Sequence, residues 1–478
     1  MKEANVKTNT IYNAIKAVSA VIFPLISFPY VSHVLLTEGV GKVNFGNSII
    51  SYFTLIASLG ITTYAVRECA KVRQDAGKLS TTSSQLFSIN ILTTLVSYVL
   101  LALTLLFARP LKEYRLLIVV QSTVILFTTL GADWLNTAME DFKFITLRTV
   151  FFQALSLVLM FLFVRKPEDY MLFAVISVVS SSGANIINMF YRRRYCRVRF
   201  VTKMDLRRHM PPILLMFSLA LTQTIYVNSD VTILGLFHGD HEVGLYSTAV
   251  KIYTIVNTTI ASVAFVLMPK LSYWFAEKNY EEVNKLLHHG LNFILVLGLP
   301  CIVGLNAITV EIIQVMAGPE YLGAVPAMHV LTIALLMSFL GGFIGNLILL
   351  PSGREKICLR TSLVSAIANI VLNLIFIPMF GGVAAAATTA TAETLGFVIN
   401  IFHVEKQIKL GSMRKILLAP IVGCIAMLAA LAAVVYFVEH LALRVVLGIG
   451  VSMVVYLAVL ILMKHEFTLG MLFKNKKQ

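Results

Sequence analysis

Long apolar runs recur along nearly the whole chain, each closed by a short polar stretch, and nothing between them is long enough for a soluble domain. A bilayer span needs roughly 20 mostly apolar residues to cover about 30 Å of hydrocarbon at about 1.5 Å per residue. By that measure about fourteen segments qualify. They are residues 10–36, 43–66, 85–107, 116–138, 147–164 and 170–190, then 211–236, 243–267, 291–316, 325–350, 361–379 and 383–403, then 416–438 and 445–463. The runs are continuous and do not alternate apolar with polar residues, so they predict helices and not barrel strands. The expected fold is an all-α polytopic membrane protein.

Composition agrees with the pattern. Hydrophobic residues make up 58% of the chain and charged residues 13%, with a mean hydropathy of +0.83, which excludes a water-soluble core under a polar shell. The polar segments on one face carry about 30 Lys and Arg and those on the other about 7, which puts both termini in the cytoplasm. The same asymmetry explains the net charge of +15, because anionic headgroups attract a basic cytoplasmic face; nucleic acid is not an expected partner. The first run exceeds the roughly 7–15 residues of a signal-peptide core and no Ala-x-Ala-like site follows, so it is expected to remain as a helix. Cys69, Cys196 and Cys358 fall in cytoplasmic segments and Cys301 and Cys424 within spans, where disulfides do not form.

The outer loops are short, at 37–42, 108–115, 165–169, 237–242, 317–324, 380–382 and 439–444. They turn the chain but cannot house a reaction site. Longer cytoplasmic segments fall at 67–84, 191–210 and 268–290, and the last, with Tyr273, Trp274 and Phe275 before mixed charge, reads as an interfacial amphipathic helix. The basic segment holding Arg192, Arg193, Arg194, Arg197, Arg199, Lys203, Arg207 and Arg208 separates two sets of six spans that begin on the same side. Val40-Gly41 corresponds in place to Val243-Gly244, and Leu147-Arg148-Thr149 to Leu359-Arg360-Thr361. An even number of spans per copy gives parallel repeats about an axis normal to the membrane. The expected organisation is an N-lobe over 1–190, a basic linker over 191–210, a C-lobe over 211–403, and two added helices with a cytoplasmic tail over 404–478.

Ionisable groups inside spans are the informative exceptions, each costing roughly 2.5–3.5 kcal/mol at mid-bilayer. Asp230 and Lys251 sit at similar depth on consecutive antiparallel spans, roughly 9 and 12 Å from one interface. They read either as a buried ion pair or as a cavity cation held by a structural acid. Lys16 lies about 9 Å inside the first span, where it snorkels or faces a cavity. Glu393 sits mid-span among Thr388, Thr389, Thr391 and Thr394, as an ion-coupling site or a protonated structural acid. Asp133, beside Trp134, is expected to anchor the interface. Pro24 and Pro29 interrupt the first span as a hinge or a packed kink. Asn185 with Asn188, and Asn369 with Asn373, form polar faces suited to interhelical hydrogen bonds or to a sugar-lined path. No H-E-x-x-H spacing or phosphate-binding loop occurs, so no metal, cofactor or enzymatic activity is expected.

The segment from Tyr52 through Gly60-Ile61 to Tyr64 and Arg67-Glu68 resembles the polysaccharide biosynthesis family of lipid-linked oligosaccharide flippases. So do Asp133-Trp134 with Glu140-Asp141-Phe142-Lys143, Asp230 with Val243-Gly244-Leu245-Tyr246, Met268 to Ser272, Pro351 to Glu355 and Asn369 to Asn373. The resemblance covers nearly the whole chain and extends to a superfamily that includes multidrug exporters and the lipid II flippase. It implies two six-helix lobes around a cavity of alternating access, in a bacterial inner membrane. The implied substrate is an undecaprenyl-diphosphate-linked glycan made on the cytoplasmic leaflet and turned over for O-antigen, capsule or exopolysaccharide assembly, with polymerase and assembly proteins as partners beside the lipid bilayer. Lys16, Lys251, Arg67 and Arg148 are the cations that would neutralise the diphosphate, and Glu393 and Asp230 the groups for ion coupling. Many family members have twelve spans, whereas this chain reads as fourteen. Alternatives are a lipid II flippase or a drug or cation antiporter, and further off a membrane glycosyltransferase or polymerase, which the short outer loops disfavour.

Overall fold

The computed structural model describes residues 6–473. Lys2, Lys474, Lys476 and Lys477, and with them both chain ends, lie outside the described residues. Among the described residues the fold is helical with no strand, and ten helices are long and apolar enough to cross a membrane. Three of them, Val6–Ser58, Leu206–Ala276 and Glu355–Ile401, each contain one residue with non-helical dihedrals: Leu36, Gly239 and Gly381. Those breaks fall at or beside the expected loops at 37–42, 237–242 and 380–382. The loops are therefore single-residue breaks between consecutive helical segments, because a helix satisfies its own backbone bonds and overruns the hydrocarbon at little cost. A shorter apolar helix spans Arg115–Gly131.

The expected interfacial helix over 268–290 does not form a separate element. Helix 240–276 runs through Tyr273, Trp274 and Phe275, and Tyr280–Ala307 starts after a turn capped by Asn279, whose side chain accepts from Glu282 N at 3.2 Å. Apolar stripes at both ends are long enough to carry the two membrane helices straight through the mixed-charge segment. At the first polar segment, the chain turns at Leu59-Gly60 into the short helix Ile61–Lys71, and Asp75 caps Ala76–Phe107 by accepting from Gly77 N and Lys78 N, both at 3.0 Å.

The described chain forms two compact units, Met1–Gly244 and Leu245–Gln478. Helix 206–238, read from the sequence as the start of the C-lobe, makes its contacts within the first. In that unit the basic segment is tied down. Tyr191 and Tyr195 both donate to Asp141 Oδ2, at 2.8 and 2.6 Å, and Arg192 donates to Leu130 O at 2.8 Å while lying 4.6 Å over the Phe87 ring. Burial, and then the Asp141 carboxylate it faces, push the Tyr195 phenol well above its ordinary value, so it stays a donor. Asn188, fully buried, accepts from Asn136 at 2.6 Å and donates to Gly131 O at 2.7 Å, the interhelical role expected for it.

In the second unit, buried Asn373 donates to Asn369 Oδ1 at 3.1 Å and accepts from Thr388 across the Gly381 break. Met413–Phe437 and Leu441–Leu462 dock on Tyr280–Ala307 through Val296, Cys424, Met427, Tyr456 and Leu460. Tyr456 there satisfies its hydroxyl on Val296 O at 2.8 Å. Also in this unit, Arg354 donates to His403 O and Glu405 Oε1, both at 2.7 Å.

The Leu36 and Gly239 breaks share one geometry, φ 57 with ψ −174 and φ 80 with ψ −172. The spacing between them equals that between Gly41 and Gly244. The contact is reciprocal: a Cβ at Gly41 would fall on the Asp240 carbonyl, and one at Gly244 on the Thr37 carbonyl. The weak internal sequence match thus marks two positions where only glycine leaves room for another backbone. Gly41→Ala and Gly244→Ala should each destabilise the protein by about 1–3 kcal/mol through overpacking. Gly450→Ala, with nothing within 4 Å of its Cβ, should be silent. Thermal unfolding of the detergent-solubilised protein checks this, and equal midpoints for all three variants would contradict the contact.

Candidate functional site

Within the first unit a cavity of about 570 Å³ lies among helices 37–58, Arg115–Gly131, Tyr170–Tyr191 and 206–238. Helices 37–58 and 206–238 run antiparallel and touch near both ends. Toward the Leu36 and Gly239 breaks, Thr37 Oγ1 is 2.8 Å from His241 Nδ1, and Tyr114 donates to Asp240 Oδ1 at 2.7 Å. Gly235 admits the Phe45 ring, and Thr232 Oγ1 lies 3.0 Å from Ser48 and 3.1 Å from Tyr52. At the other end a Cβ on Gly60, where φ is +74, would sit 2.5 Å from Phe217 N. Beyond it the Tyr64 hydroxyl is 3.0 Å from His209 Nδ1, His209 Nε2 is 3.2 Å from Gln85 Oε1, and Arg208 lies 3.7 Å from Glu68.

Between these two belts of contact the wall sets short polar side chains among Ile50, Leu55, Val124, Ala174, Val178 and Ala220. Asn47, Ser51, Thr54 and Ser58 recur every three or four residues on one helix, and Thr224 and Asn228 lie one turn apart on the other. Ser177 and Ser181 come from Tyr170–Tyr191 and Gln121 from Arg115–Gly131. None of the lining residues is charged. The volume lies within the roughly 300–1,000 Å³ of small-ligand sites, and a hydroxyl- and amide-rich wall suits a polyhydroxylated ligand.

The ionisable candidates lie elsewhere. Arg148 is buried, its guanidinium ion-paired with Asp133, donating to Ala184 O at 3.1 Å and lying 5.3 Å over the Phe144 ring. Asp133 thus holds Arg148 in addition to standing beside Trp134. Arg67 is half exposed, 3.6 Å from Glu68 and 5.5 Å over Tyr64. Lys16 is exposed on helix 6–35, and Pro24 and Pro29 sit in that helix without a break, which comes only at Leu36. Asp230 is buried in the first unit, two residues beyond cavity-lining Asn228, and Lys251 is half-buried in the second. Glu393 is half-buried in the second unit, and its neighbours Thr391 and Thr394 donate to their own helix, on Ala387 O and Ala390 O. The cavity residues themselves were not singled out from the sequence. Their signal is a neutral polar stripe at helical spacing within otherwise apolar spans.

A family model described as "Polysaccharide biosynthesis protein" matches residues 6–275. The chain is 23% identical to the "Putative O-antigen transporter" of Shigella dysenteriae, over 83% of this chain and 96% of that protein. It is 24% identical to the "Probable low-salt glycan biosynthesis flippase Agl15" of Haloferax volcanii, over 37% of each chain. A third relative, the "Teichuronic acid biosynthesis protein TuaB" of Bacillus subtilis, is 26% identical over 57% of this chain and 58% of its own length. Among solved structures, the lipid II flippase MurJ in an inward closed conformation superposes with a TM-score of 0.77 at 15% identity, covering 96% of this chain and 99% of that one. An inward-facing multidrug transporter of the MATE family gives 0.62 at 14% identity, covering 82% and 96%. At these identities the structural likeness shows the fold alone.

The Arg148–Asp133 pair makes a stability prediction. Asp133→Asn leaves a buried guanidinium without its counter-charge and should cost on the order of 1–3 kcal/mol. The double variant Arg148→Met/Asp133→Asn should regain part of that loss, because no lone buried charge remains. Thermal unfolding of the purified proteins decides it; a double variant less stable than Asp133→Asn alone would contradict a structural pair.

Proposed function

The chain belongs to the polysaccharide biosynthesis protein family, and from that premise we propose that it flips undecaprenyl-diphosphate-linked saccharide units from the cytoplasmic to the outer leaflet of a bacterial inner membrane. The observation that carries the reading is the uncharged cavity, with hydroxyls and amides set in its otherwise apolar wall, held between two contact belts inside apolar helices. A sugar head group cannot cross hydrocarbon bare, since each unsatisfied polar group there costs several kcal/mol. A polar cavity exchanges those lost water bonds for protein bonds while the polyprenyl tail stays in lipid. Parting one belt at a time gives alternating access. The names of two relatives, a flippase and a transporter, point the same way.

In this reading the chain has fourteen spans, as two lobes of six with two added helices, and cytoplasmic termini. It is a transporter and performs no covalent chemistry. Lys16, Arg67 and Lys251 supply the cations for the diphosphate, while Arg148 is engaged by Asp133. Glu393 and Asp230 serve ion coupling, and polymerase and assembly proteins take the product. A cation antiporter would favour carboxylates in the cavity, and the lining carries none.

Reconstitution tests the proposal. Vesicles holding the protein and a fluorescent undecaprenyl-diphosphate oligosaccharide should equilibrate the label between leaflets at least about tenfold faster than protein-free vesicles, since the head group otherwise meets the full cost of the apolar core. Equal rates would overturn it. Glu393→Gln, a mimic of the protonated acid, should retain exchange and lose any response to an imposed pH gradient; a full response would remove Glu393 from coupling.

A further inference from the structure

The donors of the cavity wall are unequally committed. Four of its hydroxyls already donate to carbonyls of their own helices: Ser51 to Ser48 O at 2.6 Å, Thr54 to Ile50 O at 2.8 Å, Ser58 to Leu55 O at 3.1 Å and Ser181 to Ser177 O at 2.9 Å. The amide nitrogens of Gln121 and Asn228 each spend a hydrogen on Val43 O and Thr224 O, both at 2.9 Å. A hydroxyl that has given up its hydrogen offers only lone pairs. The wall therefore offers lone pairs on those four hydroxyls beside the amides of Asn47, Gln121 and Asn228, and no cation lines it.

We infer that this cavity selects electrically neutral sugars and rejects those bearing a carboxylate or phosphate. The inference rests on the flippase reading and names its substrate class. Sugar hydroxyls, which both donate and accept, match those lone pairs and the remaining amide hydrogens without bringing a charge. A uronate or a phosphorylated sugar brings ionised oxygens that find no counter-charge on the wall to offset their desolvation. Pockets that leave a polar group unpaired discriminate far more strongly than those that merely misfit an apolar one.

The test uses two synthetic undecaprenyl-diphosphate disaccharides that differ only in a terminal glucose or glucuronic acid, in vesicles holding the full-length protein. The glucose form should flip about tenfold faster or more. Asn47→Lys and Ser181→Lys place a cation in the wall from two different helices. Each should raise the glucuronate-to-glucose rate ratio by about tenfold, as expected for pairing a desolvated carboxylate. Because the readout is a ratio, partial loss of folded protein cancels. Equal wild-type rates, or faster flipping of glucuronate, overturn charge selection and leave the flippase reading standing, as does an unchanged ratio in both Lys variants. Failure of the wild type to flip either glycan overturns both.

Discussion

The approach of helix 37–58 to helix 206–238 is the contact on which the site depends. Where these helices and the residues just past their ends touch, at Gly41, Gly235, Gly244 and Gly60, one side lacks a side chain and the other fills the space with backbone or ring. Where they separate, short polar side chains leave a volume that neither helix fills. Pinning at both ends makes the gap a cavity instead of a loose seam. Gly41 and Gly244 stand reciprocally beside breaks of matching dihedral geometry at Leu36 and Gly239.

The apolar setting governs everything else polar in the chain. Asn188 and Asn373 sit fully buried with both amide halves hydrogen-bonded. Arg148 is likewise held by a carboxylate, a carbonyl and a ring. In hydrocarbon a polar group must find such partners within the protein, so those groups serve the scaffold. The cavity residues differ from them. The hydroxyls of Ser51, Thr54, Ser58 and Ser181 satisfy their own helices and keep lone pairs for a ligand, a pattern poor as glue between helices.

How much of this was legible in the sequence follows from what is local. Spans are local, since hydropathy over about 20 residues decides them, and the turns at Leu36, Gly239 and Gly381 fall at or next to the expected polar punctuation. Helix ends were not legible at 268–290, where two membrane helices overrun a polar segment that reads as interfacial. The Arg148–Asp133 pair was hidden because Asp133 lies in the turn before Trp134–Ala138 and Arg148 on Phe142–Phe163, beyond the turn around Asp141. The stripe of Asn47, Ser51, Thr54 and Ser58 was present at helical spacing. Charge is the louder signal in so apolar a chain, and it drew attention to Lys16, Lys251 and Glu393 while the cavity itself is neutral.

The central claim is that the contacts beside the Leu36 and Gly239 breaks must part for a sugar head group to leave the cavity. The direct measurement is glycan flipping in vesicles by a protein carrying Thr37→Cys and His241→Cys in an otherwise cysteine-free background, the pair whose side chains meet at 2.8 Å. Oxidation should abolish flipping and reduction should restore it, with each single cysteine variant indifferent to both treatments. Full flipping by the cross-linked protein would contradict the account.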